Sequence, residues 1–150
     1  MRLIASLLVC FGAAWLGSQF TRPALAPWYA SLAKPSWTPP NWVFAPAWTT
    51  LFALMGIAAW LIWRRSGLLS LPLGLFALQL TFNVTWSGLF FGLKLPGAAM
   101  GGIVFLWLAI LTTAIAFWPV SRVAAWLMAP YLAWVTYAAF LNFAIWRLNR

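Results

Sequence analysis

Five long apolar stretches run along the chain, separated by short segments that hold the charged residues and most of the prolines. A helix needs about 20 mostly apolar residues to cross ~30 Å of hydrocarbon. Each stretch is long enough to do so, which predicts an all-α membrane protein with a five-helix transmembrane bundle. We expect one domain over residues 1–150, with helices at approximately 3–20, 44–63, 68–93, 98–118 and 123–146.

The composition supports this interpretation, because 65% of the residues are hydrophobic and only 6% are charged. A soluble domain covers itself with a larger share of polar and charged side chains. Most of the surface must therefore face lipid, and we expect an integral, multi-pass protein.

The charge is entirely basic, with nine Lys and Arg and no Asp or Glu. These residues are scattered and form no basic face, so the charge does not indicate a nucleic-acid partner. They lie beside the apolar stretches, where cationic side chains reach lipid headgroups. Their distribution leaves the orientation open, with four residues on one side and five on the other: Arg2, Arg64, Arg65 and Arg122 against Arg22, Lys34, Lys94, Arg147 and Arg150.

The absence of Asp, Glu and His excludes the chemistry of most hydrolases and metalloenzymes, because no carboxylate pair, imidazole base or hard-metal ligand set exists. It also argues against a proton-driven transporter, which needs a titratable residue within the membrane. We expect no metal and no bound cofactor.

The connection between the first two stretches, residues 21–43, is far longer than the others and contains five prolines. Long loops in compact proteins are usually functional or disordered. Its aromatic residues favour order, since they could cover one end of the bundle. We predict a folded lid that includes Trp28, Lys34, Pro35, Trp37, Pro39 and Pro40.

The third stretch has two contrasting faces. Gln79, Asn83, Trp86 and Phe90 share one face at helical spacing, and amides are costly against lipid, so this face should point into the bundle. It could bond neighbouring helices, at about 1 kcal/mol for each hydrogen bond, or line a ligand site. The opposite face carries small residues that could approach a helix of the same chain or form a homodimer seam: Gly74, Thr81, Thr85, Gly88 and Gly92.

The fifth stretch places Tyr131, Trp134 and Ala138 on one helix face, with Pro130 one turn before Trp134. A proline bends a helix and frees a backbone carbonyl, which could open room beside Trp134. The chain has 13 Trp in all, more than an interfacial belt requires. Indole walls suit a large, flat, apolar ligand.

The run from Trp28 to Pro40 resembles the signature of the translocator protein family, also called tryptophan-rich sensory proteins or peripheral benzodiazepine receptors. The resemblance continues through Asn83 and Trp86 to the Pro130–Trp134 run, and so covers almost the whole chain. It implies a five-helix bundle, often a homodimer, whose first loop closes a pocket for porphyrins such as protoporphyrin IX and for benzodiazepine-type ligands. Cholesterol binding is associated with mitochondrial members.

Carried over by position, Trp48 and Trp134 look like the paired pocket tryptophans of this family. Some bacterial members are reported to degrade protoporphyrin in light, and these two indoles are the candidates for that catalysis. The resemblance also implies that Asn83, Phe90 and Ala138 line the same cavity. With Trp86 and Tyr131 from the helix faces above, the expected ligand site comprises Trp48, Asn83, Trp86, Phe90, Tyr131, Trp134 and Ala138.

Two departures from the family pattern stand out. The sterol-recognition pattern usually has a Tyr between a Leu and an Arg, whereas here Leu141 and Arg147 flank Phe143. Acidic residues common in the first loop of relatives are also missing, so no salt bridge can hold the lid.

Two functions remain open at this point. The first is a receptor or carrier that binds a tetrapyrrole or sterol without chemistry of its own, with Gln79, Asn83 or the lid orienting the ligand's polar end. The second is an enzyme that degrades bound porphyrin in light. The short chain, without a recognisable mitochondrial extension, leads us to expect a bacterial membrane, inner or outer.

Overall fold

The computed structural model describes residues 1–150 and contains helices and turns but no strand. Five helical spans are long and apolar enough to cross a membrane, which confirms the predicted all-α bundle. The α-helices are α1 (Arg2–Ala24), α2 (Asn41–Ser66), α3 (Leu71–Ser87), α4 (Pro96–Phe117), α5 (Arg122–Leu127) and α6 (Ala129–Leu148). Two π-helical segments extend α1 and α3: Leu25–Tyr29 and Gly88–Gly92.

The predicted bounds lie within three residues of the observed spans, except at the end of the first helix. That helix was expected to end at residue 20, yet its span continues to Tyr29, beyond Pro23 and Pro27. The π-helical turn shifts the hydrogen-bond register, which is one way a helix accommodates a residue without an N–H donor. The predicted lid over residues 21–43 is therefore shorter, and non-helical chain occupies only residues 32–40.

The helices pack in a ring. Helix α1 lies between α2 and α3, α3 packs against α4, and α4 packs against α6. Large apolar side chains cover the outer surface, among them Leu8, Phe105 and Ile115, each more than half exposed. Such a surface is suited to lipid and would be poorly soluble in water.

The fifth span is broken at Met128, immediately before Ala129 and Pro130. Pro130 cannot donate a hydrogen bond to the carbonyl of Trp126 four residues earlier, and its ring crowds that carbonyl, which accounts for an interruption here. Before the break, α5 packs against α2, whereas α6 makes few backbone contacts with α2. The interruption lies where Pro130 predicts a bend.

Helices α1 and α2 make a tight contact at Gly56. A Cβ atom built on Gly56 would lie 2.6 Å from Leu7 Cδ2 and 3.1 Å from Leu7 Cα, so a larger residue would force both the side chain and the backbone of Leu7 to shift. Because the two helices are antiparallel, Leu7 and Gly56 lie at the end of the bundle opposite residues 32–40.

We expect Gly56→Ala to lower the stability of the bundle by about 1–3 kcal/mol, because overpacking forces α1 and α2 apart. Gly101→Ala is the matched control, since no atom lies within 4 Å of a Cβ at that helical position. Thermal unfolding of both variants in the same detergent provides the measurement. Equal midpoints for the two variants would contradict the proposed role of the Gly56 crossing.

Candidate ligand-binding site

A cavity of about 550 Å³ lies between α1, α2, α3 and α6, and 16 of its 25 lining residues are hydrophobic. It occupies the half of the bundle near residues 32–40. Ligand pockets are typically concave, mostly apolar and about 300–1,000 Å³ in volume. The cavity has the size and character of a binding site for one small organic molecule.

Two aromatic groups form much of its wall. On α2 and α6, the rings of Trp48 and Trp134 lie 6.4 Å apart at 82°, and Phe44 lies 6.0 Å from Trp134. At the end of α3, Phe90 lies 5.6 Å from Trp86 and 4.8 Å from Phe91. These edge-to-face and tilted contacts are the favoured geometries of aromatic pairs. They hold the rings in defined orientations around the cavity.

Hydrogen bonds between α3 and α6 lie beside these rings. Asn83 Nδ2 donates to Tyr131 Oη at 2.7 Å, and Trp86 Nε1 donates to Asn142 Oδ1 at 3.0 Å. Asn142 Nδ2 in turn donates to the carbonyl of Pro96 at the start of α4 at 2.8 Å. The polar face of α3 points into the bundle, as predicted. Asn83 and Trp86 both join helices and line the cavity, so the two interpretations of this face are compatible.

Tyr131 is a correction to the expected site. Six of the seven expected residues line the cavity: Trp48, Asn83, Trp86, Phe90, Trp134 and Ala138. Tyr131 is fully buried outside the lining, with its ring 6.2 Å from Trp48 and its hydroxyl bonded to Asn83. It lies one turn before Trp134 on α6, within the packed core, and contacts residues that line the cavity.

Gln79 also lies outside the lining, so it cannot orient a ligand there as expected. Its side chain is fully buried, with Nε2 3.8 Å from the sulfur of Met55. Its Oε1 is the only buried side-chain nitrogen or oxygen atom without a hydrogen-bond partner. Gln79 shares the face of Asn83 but lies one turn deeper, beyond the end of the cavity.

The lid residues are ordered but do not line the cavity. Tyr29 and Asn41, on either side of the lid, do line it. Asn149 at the end of α6 binds Ala33 twice: the Ala33 N–H donates to Oδ1 at 3.0 Å, and Nδ2 donates to the Ala33 carbonyl at 2.9 Å. Tyr137 Oη donates to the carbonyl of Trp37 at 2.8 Å. The lid therefore crosses the end of the bundle and is fastened to α6.

The position of Lys34 beside an apolar stretch predicts a side chain that reaches lipid headgroups. The structure instead turns this side chain back onto the lid. Lys34 Nζ donates to the carbonyls of Tyr29 at 2.7 Å and Leu32 at 3.0 Å, and lies 4.9 Å from the centre of the Tyr29 ring. A cation at a helix C-terminus stabilises the unpaired carbonyls there. Lys34 holds the lid without an acidic partner.

The remaining expected lid residues have different positions. Trp28 lies on the π-helical segment and packs edge-on against Phe90, with ring centres 5.7 Å apart. Pro35 accepts hydrogen bonds from the N–H and hydroxyl of Thr38 through its carbonyl, forming a turn. Pro39 and Pro40 directly precede α2, where the fixed φ of Pro40 is compatible with a helix start.

Helix α1 supplies cavity residues that the sequence reasoning missed. Phe11, Trp15, Ser18 and Arg22 all line the cavity. Residues 11, 15, 18 and 22 recur at spacings of four, three and four, so the signal was present as one helix face. This face is absent from the predicted site, because the first stretch predicts only a membrane span and Arg22 only its end.

The sterol-like residues do not share one surface. Leu141 is buried and lines the cavity, whereas Phe143 and Arg147 are exposed on the outer side of α6. The Arg147 guanidinium lies 5.9 Å from the centre of the Phe143 ring. Residues one turn apart share a helix face, which groups Phe143 with Arg147 and separates both from Leu141.

The small residues of α3 divide into two groups. Gly74, Thr81 and Thr85 are exposed on the outer face. Near the lid end, Gly88 and Gly92 face Phe20 of α1, and a Cβ on Gly92 would lie 2.9 Å from its ring. The last two glycines therefore accommodate a helix of the same chain, while the first three residues remain open to lipid or to a second copy.

Comparison with known proteins agrees with this arrangement. Residues 6–147 match the profile of the TspO/MBR family. The chain belongs to this family. It is 42% identical over 145 residues to the tryptophan-rich protein TspO of Chlorobaculum tepidum, covering 94% of this chain and 91% of that protein.

Two further relatives show how widely the TspO/MBR family extends. The human translocator protein is 39% identical over 150 residues, covering 97% of this chain and 86% of the relative. The tryptophan-rich sensory protein of Cereibacter sphaeroides is 39% identical over 151 residues, covering 99% of this chain and 95% of that protein. The family resemblance drawn from the lid signature is confirmed over nearly the whole chain.

We expect Asn149→Leu to release the lid of this TspO/MBR protein, because Ala33 loses both of its hydrogen bonds to α6. At about 1 kcal/mol for each bond, protection of the lid from hydrogen exchange should fall roughly tenfold or more. Exchange of peptides covering residues 32–40, followed by mass spectrometry, measures this. In the control, Ser31→Ala removes only a local bond to the Trp28 carbonyl. Unchanged exchange in Asn149→Leu would contradict the fastening.

Proposed function

We propose that this TspO/MBR protein is a membrane receptor or carrier for a large, flat, apolar molecule of the tetrapyrrole class, such as protoporphyrin IX. The observation that carries the proposal is the pair of indoles, Trp48 and Trp134, on the wall of a 550 Å³ apolar cavity. A conjugated macrocycle has the flat apolar faces that such rings contact well. No acid, base or metal is required for binding alone.

The binding energy would come chiefly from apolar burial, at roughly 25 cal/mol per Å² before the costs of ordering. The aromatic contacts around Trp48, Trp134 and Phe90 reduce those costs, because the rings are already held by their neighbours. A pocket whose walls are fixed before binding loses less conformational entropy on association.

Access would be lateral, from the bilayer. Phe11 and Trp15 on α1 line the cavity yet are 38% and 61% exposed, and Ala45 and Thr49 on α2 are also exposed. These exposed lining residues support an entrance between α1 and α2. An apolar ligand dissolved in lipid could enter this way without passing through water.

Sterols and benzodiazepine-type compounds are secondary candidates for the same cavity, because its lining is apolar and does not depend on one ring system. The outward positions of Phe143 and Arg147 favour the cavity over the sterol-like pattern as the place where such ligands would bind.

We also infer a homodimer in a bacterial membrane. Gly74, Thr81 and Thr85 support the dimer, since they form a small, exposed face on α3 whose threonine hydroxyls are bonded to their own helix. Small residues allow two helices to approach closely in lipid. The relative from Chlorobaculum tepidum supports the bacterial assignment.

We expect protoporphyrin IX, titrated in the dark into the purified protein, to quench tryptophan fluorescence saturably. Trp134→Ala should raise the dissociation constant at least about tenfold, since lost stacking and burial together exceed about 1.4 kcal/mol. Trp126→Ala is the matched control, because Trp126 is 66% exposed on the outer surface and does not line the cavity. Absence of saturable quenching in folded wild type would contradict tetrapyrrole binding.

A second candidate function is light-dependent degradation of the bound porphyrin. The observation that favours it is that both candidate catalytic indoles, Trp48 and Trp134, line the same cavity. An indole in contact with the excited pigment could give it one electron, so that the indole is oxidised and the pigment reduced. Dioxygen would be the co-reactant for later loss of the macrocycle. The hard chemistry would belong to the pigment, as is usual for such molecules.

Illumination of the protoporphyrin complex separates the two functions. If the indoles take part, pigment absorbance will decline in wild type, and the decline will slow in Trp48→Phe and Trp134→Phe under conditions where pigment remains bound. Trp126→Phe should behave as wild type, because Trp126 lies outside the cavity. Equal rates of absorbance loss in all four proteins would contradict the enzymatic function and leave binding as the proposed function.

A further inference from the structure

Arg22 is the only basic residue that lines the cavity. It lies on α1, seven residues before the first helical span ends at Tyr29, and its side chain is exposed. The chain contains no Asp or Glu, so no side chain of this protein can form an ion pair with it. An arginine that lines a ligand cavity and has no acidic partner can form charge-assisted hydrogen bonds with an anion.

Arg22 differs in this respect from most other basic residues of the protein. Seven of the nine have a partner within the chain, either an aromatic ring or a backbone carbonyl: Arg2, Lys34, Arg64, Arg65, Arg122, Arg147 and Arg150. Only Arg22 and Lys94 have neither, and Lys94 does not line the cavity. The free cation in the cavity is therefore not a general consequence of the basic composition.

Two polar groups of the cavity wall are already engaged. The Asn83 amide nitrogen is bonded to Tyr131, and the Trp86 indole nitrogen is bonded to Asn142. At the lid end, Asn41 also lines the cavity and is exposed, with no hydrogen bond from its side chain to another group. Arg22 and Asn41 therefore offer a ligand polar groups on the exposed side of the cavity, its mouth, and Arg22 is the one that carries a charge.

We propose that Arg22 binds a carboxylate of the ligand, so that the cavity selects flat apolar molecules that carry an acidic group at one edge. This inference rests on the proposed function and specifies its ligand class. The apolar body lies against the indoles, and the carboxylate lies at the mouth, where a guanidinium can donate two parallel hydrogen bonds. Protoporphyrin IX, with two carboxylates on one edge, fits this description, and its dimethyl ester does not.

The experiment compares protoporphyrin IX with its dimethyl ester, titrated in the dark at pH 7 into protein in nanodiscs of zwitterionic phosphatidylcholine. Wild type should bind the acid about tenfold more tightly than the ester, equivalent to about 1.4 kcal/mol. Arg22→Gln should weaken binding of the acid by about that factor and leave binding of the ester unchanged. The variant would then show no preference for the acid. Arg22→Lys should restore part of it, because the ammonium keeps the charge but not the two-pronged geometry.

Lys94→Gln is the matched control, since it removes the other free cation without touching the cavity, and it should keep the full preference for the acid. The same titrations in nanodiscs containing anionic phosphatidylglycerol distinguish a ligand carboxylate from a lipid phosphate. The proposal expects the preference to persist there. A preference lost in anionic nanodiscs would mean that lipid phosphate occupies Arg22, and would overturn the proposal.

Failure of this inference is separable from failure of the proposed function. Two results would contradict this inference alone: wild type binds the acid and the ester with equal affinity, or Arg22→Gln weakens binding of both compounds by the same factor. Either result would mean that the cavity binds porphyrin but that Arg22 does not select a carboxylate. If neither compound binds to folded wild type, the tetrapyrrole function itself is wrong.

Discussion

The site depends on the hydrogen bonds that join α3 to α6. In lipid the hydrophobic effect does not hold helices together, so packing and hydrogen bonds between helices must do so. Asn83 with Tyr131 and Trp86 with Asn142 fix the relative register of the two helices. They also orient the aromatic residues beside them, so the walls of the cavity are defined before any ligand arrives.

The cavity itself arises from two departures from regular packing. At Gly56 the absent side chain allows α1 and α2 to cross tightly at one end, and at Pro130 the fifth span breaks so that α6 leaves α2. The cavity lies between α1, α2, α3 and α6 in the half of the bundle near the lid. The lid, fastened by Asn149 and Lys34, then crosses the open end. Lid, cavity and lateral opening follow from these few positions.

The sequence predicted the features that depend on composition and helical spacing. The five spans follow from apolar length, and the family pattern points to Trp48 and Trp134, which line the cavity. The continuation of the first helix past Pro23 was missed, because local proline rules say nothing of a lysine that later caps the helix. Arg22 was missed for a related reason, since a charge beside an apolar stretch shows a helix end but not the cavity next to it.

The most direct test of the account is a crystal structure of the protein with protoporphyrin IX, grown and measured in the dark. We expect the macrocycle between α1, α2, α3 and α6, in contact with Trp48 and Trp134, with a carboxylate at hydrogen-bond distance from Arg22. Porphyrin bound only on the outer surface, for example in the apolar groove beside Trp118 and Trp126, with the cavity free of pigment, would contradict it.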